Sequence, residues 1–117
     1  MVSETNCLFC KIVAKEIPAE VVHETDRTLA FRDVNPQAPT HVLVIPKDHY
    51  PTAAALAAAD DGLADEVLQA AHAVAEQEGV AEPGYRLVFN TGLGAGQTVF
   101  HVHGHVLGGR DLTWPPG

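Results

Sequence analysis

Cations are scarce in this chain. Lys and Arg together number 7 against 15 Asp plus Glu, for a formal net charge of −8 with His neutral. A groove that tracks a nucleic-acid backbone needs clustered cations to displace counterions, so a nucleic-acid polymer is excluded as the expected partner. A single phosphate group is not excluded, because backbone N–H groups and a few side chains can hold one without a basic surface. Cysteine is nearly missing as well. Cys7 and Cys10 are the only two, too few for a disulfide scaffold, and their C-x-x-C spacing suits metal or redox chemistry in a reducing compartment. No apolar run reaches the roughly 18 residues of a membrane span, and no basic stretch leads into an apolar core with a small-residue cleavage site. The expectation is a cytoplasmic protein without membrane contact. Its 117 residues, 46% of them hydrophobic, suit one domain over residues 1–117.

What is plentiful is histidine: there are 7, and His101, His103 and His105 alternate within five positions. The rest of the chain supplies a frame for them. Leu8, Phe9, Ile12 and Val13 recur at helical spacing over residues 8–15, and Pro18 stops the pattern. Val21-Val22-His23 and Thr28-Leu29-Ala30-Phe31 read as strands joined by the polar turn Glu24-Thr25-Asp26-Arg27. Asn35-Pro36-Gln37-Ala38-Pro39 is a loop, residues 41–45 are a buried strand, and Pro46 ends it. Residues 51–79 are Ala-rich and helical, broken at Asp60-Asp61-Gly62. Asp61 is the expected N-cap of the second part, whose stripe is Leu63, Val67, Ala70 or Ala71, and Val74, with Gly79 as the stop. His72 lies off that stripe and reads as a solvated position. Two further strands, 85–90 and 99–107, flank the glycine-rich segment 91–96. The ending Trp114-Pro115-Pro116-Gly117 is rigid and aromatic, as in tails that dock on their own domain or on a partner.

In a strand, His101, His103 and His105 project from one face while Val102, Gly104 and Val106 face the other. One metal ion does not serve all three imidazoles. His101 and His105 stand about 13 Å apart along an extended strand at roughly 3.3 Å per residue, against Zn–N bonds of about 2.0–2.1 Å. A coincidental run on an exposed face fits poorly with so apolar an opposite face. The remaining reading makes His103 a nucleophile or general base, with its second ring nitrogen oriented by a flanking histidine or a backbone carbonyl. Upstream, Gly92, Gly94 and Gly96 let backbone N–H groups approach an anion, and Gln97 and Thr98 add side-chain donors, so the segment reads as a phosphate cradle.

The run His101-Val102-His103-Gly104-His105-Val106-Leu107 resembles the motif of the histidine-triad (HIT) superfamily, in which histidines alternate with apolar residues. The chain is similar to its Hint branch. Glu16-Ile17-Pro18-Ala19, Ala30-Phe31-Arg32-Asp33-Val34, Pro36-Gln37-Ala38-Pro39-Thr40-His41, Val44-Ile45-Pro46-Lys47, Gly84-Tyr85-Arg86, Gly96-Gln97, Leu107-Gly108-Gly109-Arg110 and Trp114-Pro115-Pro116-Gly117 carry the likeness over nearly everything outside residues 52–82. The resemblance implies an α+β fold: a five-stranded antiparallel sheet with two main helices, joined to a second copy as a ten-stranded sheet in a homodimer. It also implies a hydrolase of purine nucleotides that cleaves the P–N bond of nucleoside 5′-phosphoramidates through a nucleotidyl-histidine intermediate. A dinucleoside polyphosphate hydrolase is the neighbouring alternative, and a nucleotide-binding regulatory module with incidental catalysis is the alternative of another class.

Carried over by position, the resemblance makes His103 the nucleophile, His105 a phosphate contact, His101 a support for the nucleophile's ring, and His41 a hydrogen-bonding residue behind the triad. Asn90 and Thr98 would meet the ribose-phosphate, Gly96 and Gln97 the phosphate, and Asp33 both ribose hydroxyls. Phe9, Ile12, Phe31 and Val34 would wall the base pocket, with plain core packing the competing role for Ile12 and Phe31. Thr98 stands where serine is common and keeps the hydroxyl. Gly104 replaces an apolar residue, which is expected to lose packing and loosen the strand without removing chemistry. Arg32 either favours an anionic ligand or is a solvated surface cation. Some members of the superfamily bind zinc through a cysteine pair and two histidines, which here would be Cys7, Cys10, His49 and His101 in a closed structural site. Two free thiols or a redox pair are the competing readings of the cysteines. The hydrolysis itself needs no metal in this picture.

Overall fold

A computed structural model describes residues 3–117. Its elements run α1 (Leu8–Val13), β1 (Val21–Glu24), β2 (Thr28–Arg32), β3 (Thr40–Pro46), α2 (Ala53–Ala58), α3 (Leu63–Gln77), β4 (Tyr85–Phe89) and β5 (Gly104–Gly108). The five strands form one antiparallel sheet in the order β1-β2-β3-β5-β4. The α+β expectation holds, with α3 the one long helix and α1 and α2 six residues each.

β3 explains how the sheet divides its surroundings. Every residue of this central strand is buried, and the period of two sorts them. Val42 and Val44 join Ala30, Val106 and the α3 stripe of Leu63, Val67, Ala70, Ala71 and Val74 on one face. Leu43 and Ile45 join Leu29, Phe31 and the α1 residues Phe9, Cys10 and Ile12 on the other. His41 shares the parity of Leu43, and the register pairs Leu43 with His105. The histidines of β3 and β5, His41 and His105, therefore emerge on the α1 face, whereas α3 packs its apolar stripe on the opposite face.

Three local expectations are corrected. The N-terminal boundary of α3 is Gly62 in a left-handed conformation (φ 82°), where an L side chain would be strained. Asp61 stands one residue earlier, accepts the Leu63 N–H at 3.1 Å, and is tied to Arg27 at 3.2 Å. The last strand begins at Gly104 rather than near residue 99, so His101, Val102 and His103 precede the ladder. Gly104 does not leave a packing defect either, because the ring of its cross-strand partner Phe89 lies over it: an added Cβ would meet Phe89 Cζ at 2.8 Å and Leu87 Cδ1 at 3.0 Å.

The helix stop at Gly79 falls where expected, with φ 76° just past the α3 C-cap. Arg86 donates to the Thr113 carbonyl at 2.9 Å and Arg110 to the Gln37 carbonyl at 3.0 Å, which guide the tail across the domain. Trp114 nonetheless stays 81% exposed, so it does not dock on its own domain. No helix among the described residues is long and apolar enough to cross a membrane.

Candidate functional site

A cavity of about 450 Å³ opens on the α1 face of the sheet. Phe9 and Ile12 of α1, Phe31 of β2 and Leu43 of β3 form its apolar floor, and Asp33, Asn90, Gly96, Thr98, His103 and His105 bring polar groups to it. A mostly apolar concavity with a few convergent polar atoms is the usual form of a small-molecule site. Ile12 and Phe31, for which the sequence left core packing and pocket wall open, are buried in the core cluster and also line the cavity, as does Phe9. Val34 stands fully exposed at the rim. Leu43 was missed in the sequence, although its parity with His41 in a buried strand was the available signal.

The hydrogen-bond partners assign the ring nitrogens one after another. The His103 Nδ1–H donates to the His101 carbonyl at 2.8 Å, which leaves its Nε2 with a lone pair. The Gln37 N–H donates to His41 Nδ1 at 3.0 Å. A neutral His41 therefore carries its proton on Nε2, which donates to His105 Nδ1 at 2.9 Å and lies 3.4 Å from an Asp33 carboxylate oxygen. His105 must then carry its own proton on Nε2, and that atom is buried with no hydrogen-bond partner. A buried unsatisfied donor costs about 1–3 kcal/mol, and the cost disappears when a ligand supplies an acceptor. The rings of His103 and His105 are 5.0 Å apart between centroids. The pair thus offers one bare nitrogen and one N–H donor from adjacent positions.

Burial keeps these rings neutral. It pulls His103 below the ordinary histidine value, against the opposing bond to the His101 carbonyl and the Asp33 charge. It lowers His105 to about 4, helped by His103 and His41, and lowers His41 despite Asp33 nearby. A neutral imidazole with a free lone pair is the nucleophilic form.

The glycine-rich loop differs from the expected open cradle. Gly92 N–H donates to Gln97 Oε1 at 2.9 Å, and the N–H groups of Ala95, Gly96 and Gln97 bond to carbonyls of the same loop. Gln97 is 1% exposed, and its amide also donates to the Pro51 and Val99 carbonyls. Its side chain is spent on fixing the loop, and Gly96 and Thr98 are what the loop presents to the cavity. Arg32 is likewise committed, bidentate to Glu78 at 2.7 and 3.1 Å and bonded to Glu20 at 3.0 Å.

Beside this site Cys7, Cys10, His49 and His101 come together, their ligand atoms all within 4.8 Å of one another. His101 Nδ1 lies 3.4 Å from Cys7 Sγ and 3.5 Å from Cys10 Sγ, and His49 Nδ1 lies 3.4 Å from Cys10 Sγ. Bonds of about 2.3 Å to sulfur and 2.0–2.1 Å to nitrogen at tetrahedral angles place S and N about 3.5 Å apart, so this donor set fits a zinc-type ion. Outer partners orient both rings: His101 Nε2–H donates to the Pro46 carbonyl at 2.8 Å, and His49 Nε2 faces Glu4 at 3.6 Å. Sequence reading had not pointed to Glu4. Backbone N–H groups of Cys10 and Glu4 point at Cys7 Sγ and Cys10 Sγ respectively, at 3.3 and 3.4 Å. Burial and the neighbouring thiol push the Cys10 thiol up, a cost that coordination to a cation reverses. Burial also lowers His101 to about 4, leaving it neutral. The three alternating histidines thus belong to different groupings: His101 to the sulfur cluster, His105 to His41 and Asp33, and His103 between them.

Comparison with known proteins follows the same lines. A family model described as "HIT domain" matches residues 14–112. A purine nucleoside phosphoramidase of Escherichia coli is 46% identical over 96% of this chain and 92% of its own length. A 14 kDa zinc-binding protein of Zea mays is 50% identical over 94% of this chain and 87% of its own. A crystal structure of a HIT family hydrolase from Legionella pneumophila superposes with a TM-score of 0.91 at 55% identity, covering 96% of this chain and all of the other.

Proposed function

The chain belongs to the HIT-domain family, and from that premise we propose that it hydrolyses purine nucleoside 5′-phosphoramidates through a nucleotidyl intermediate on His103. One observation carries the reading: His103 is bonded through Nδ1 and so keeps a lone pair on Nε2, next to the unpartnered Nε2–H of His105. A phosphoryl centre needs that pairing, a nucleophile beside a donor to its non-bridging oxygen. The relative from Escherichia coli, a purine nucleoside phosphoramidase, supports the choice of substrate class.

In this reading the base rests on Phe9, Ile12, Phe31 and Leu43 with Val34 at the rim, and Asp33 accepts the ribose hydroxyls through two carboxylate oxygens. Asn90, Gly96 and Thr98 meet the ribose-phosphate, while Gln97 serves by holding the loop. His103 Nε2 attacks the α-phosphorus and a P–Nε2 bond forms. The P–N bond to the amine breaks, and the amine leaves with the bonding pair and takes a proton from water. Water then attacks phosphorus, its oxygen forming the new bond as P–Nε2 breaks and the pair returns to Nε2. The proton that this water loses neutralises the hydroxide left when the amine was protonated, and the nucleoside monophosphate is released.

Cys7, Cys10, His49 and His101 hold zinc in the same proposal, as a closed structural site outside the reaction. Cys7 and Cys10 form no disulfide with each other, which suits a reducing cytoplasmic setting. The chain works as one HIT domain, in a homodimer whose sheets join into ten strands. β4, an edge strand with every residue half-buried, is the free edge nearer the site strand β5.

The test is release of amine from adenosine 5′-phosphoramidate, with diadenosine polyphosphate as competing substrate and His103→Ala as the blank. Rapid P–N cleavage that vanishes in the variant is expected. A preference for the polyphosphate overturns the substrate, and no cleavage of either substrate leaves a binding module.

A further inference from the structure

His103 lies on the part of the site face that the sheet does not hold. β5 begins at Gly104, paired with Val44 and Phe89, and residues 99–103 run ahead of it outside any strand. Other contacts fix this segment. The Val102 N–H donates to the Tyr50 carbonyl at 2.7 Å, and the Val102 side chain is buried in the α3 cluster. The other anchor is His101. It is fully buried, its Nε2–H is bonded to the Pro46 carbonyl, and its Nδ1 is turned to both cysteine sulfurs. The carbonyl of this same residue accepts the His103 Nδ1–H at 2.8 Å.

A second link runs through α1. Phe9 sits between Cys7 and Cys10 in the chain, and its ring meets the His103 ring edge-on, with centroids 5.0 Å apart and planes at 87°. The polar contact and the edge-on aromatic contact on His103 both originate within the sulfur cluster or between its cysteines, and the His105 ring lies beside it with centroids 5.0 Å apart. His105 is different. Its orientation comes from His41, which is held by the Gln37 N–H on another loop.

We propose that Cys7, Cys10, His49 and His101, when they hold a zinc-type ion, are positioning residues for His103: they tie α1 to residues 99–103 and keep His103 in the Nδ1–H tautomer. The proposal rests on the nucleophile reading of His103 and extends it. Without the ion, the thiol–imidazole contacts of 3.4–3.5 Å are weak sulfur contacts, and the His101 carbonyl is held only by the Pro46 bond of its own side chain and by the Val102 N–H bond of its own peptide unit. His103 then samples the Nε2–H tautomer, which has no lone pair to offer at that nitrogen.

Long-range proton–nitrogen correlation spectra of the ¹⁵N-labelled full chain report each histidine tautomer, so zinc-loaded protein is compared with chelated protein. In the loaded protein His103 should show the Nδ1–H form alone. After chelation it should average over both forms, with weaker Phe9–His103 nuclear Overhauser effects and an unchanged His105. Turnover of the phosphoramidate should show kcat falling by about tenfold, with KM changed less than about twofold. If the chelated chain unfolds, His49→Ala gives the same test, because His49 meets His101 and Glu4 rather than His103. With zinc weakly bound, the His103 signals should follow a zinc titration with the midpoint at which Cys7 and Cys10 become protected from alkylation. An identical His103 tautomer with and without zinc overturns the proposal. So does a chain that takes up no zinc, or a His105 that changes in parallel, which would indicate general loosening. A tautomer switch in a protein that does not cleave the phosphoramidate supports the positioning and counts only against the substrate.

Discussion

Two glycines of β5 sit on the α3 face under different constraints, and they should respond differently to one added methyl group. Neither has a positive φ, so alanine fits both backbones. In each case a shorter list of unfolded conformations returns about 0.4–1 kcal/mol, and the outcome rests on contacts. At Gly104 the new Cβ meets Phe89 Cζ at 2.8 Å and Cε1 at 3.0 Å, the far end of a half-buried ring that can tilt away. At Gly108 it meets Val80 Cβ, Cγ1 and Cγ2 at 2.8, 2.9 and 3.0 Å, and Val80 is 5% exposed with its Cβ fixed to the chain. Overpacking of that second kind costs about 1–3 kcal/mol. Gly104→Ala is therefore expected within about 0.5 kcal/mol of the parent, and Gly108→Ala to lose about 1.5–2 kcal/mol net. Urea unfolding at unchanged slope would read the gap directly, and thermal melts should separate the two by about 4 °C or more. In a double-mutant cycle, Val80→Ala should couple to Gly108→Ala by about 1 kcal/mol. Equal losses at the two glycines, or no coupling to Val80, would refute the argument.

Other expectations concern the site. His103→Ala should abolish phosphoramidate turnover while nucleotide affinity, measured by calorimetry, stays within about tenfold, because most of the cavity lining lies elsewhere. His41→Phe removes the donor to His105 Nδ1 and releases its tautomer; single-turnover amine release should slow by about five- to tenfold, the worth of one neutral hydrogen bond of about 1–1.4 kcal/mol. His105→Ala removes the donor itself and should cost about a hundredfold or more in the same assay. Stability should also depend on pH through His105. Its folded value of about 4 lies below the unfolded value of about 6.5, so the unfolded chain takes up a proton first as pH falls. Stability present above about pH 6.5 is lost progressively toward pH 4. The urea midpoint of His105→Ala should decline less over that interval than that of the parent.

The alternation of His101, His103 and His105, the buried run of β3 and the α3 stripe were legible locally, because periods of two and 3.6 follow from backbone geometry alone. The likeness of the flanking motifs brought Asp33, His41, Asn90 and Thr98 to attention, and the cavity takes in Asp33, Asn90 and Thr98. The C-x-x-C spacing singled out Cys7 and Cys10 locally, but the distant His49 and His101 were placed with them by that likeness and not by any local pattern, since ligand geometry depends on chain segments meeting in space. Other features were invisible in sequence for the same reason. Gln97 looked like a ligand donor, but three hydrogen bonds from its amide and to its oxygen hold the loop. Arg32 looked like a free cation, but Glu78 and Glu20 converge on it from distant positions.

What the sequence by itself determined is which side chains can share a face and which chemistry they carry. The tertiary structure decided which nitrogen of each ring holds a proton. That depends on the Gln37 N–H reaching His41 and the His101 carbonyl reaching His103, contacts set by where the loops fall once α3 and the sheet have packed. Proton location in an imidazole follows its partners, and partners are a property of the fold.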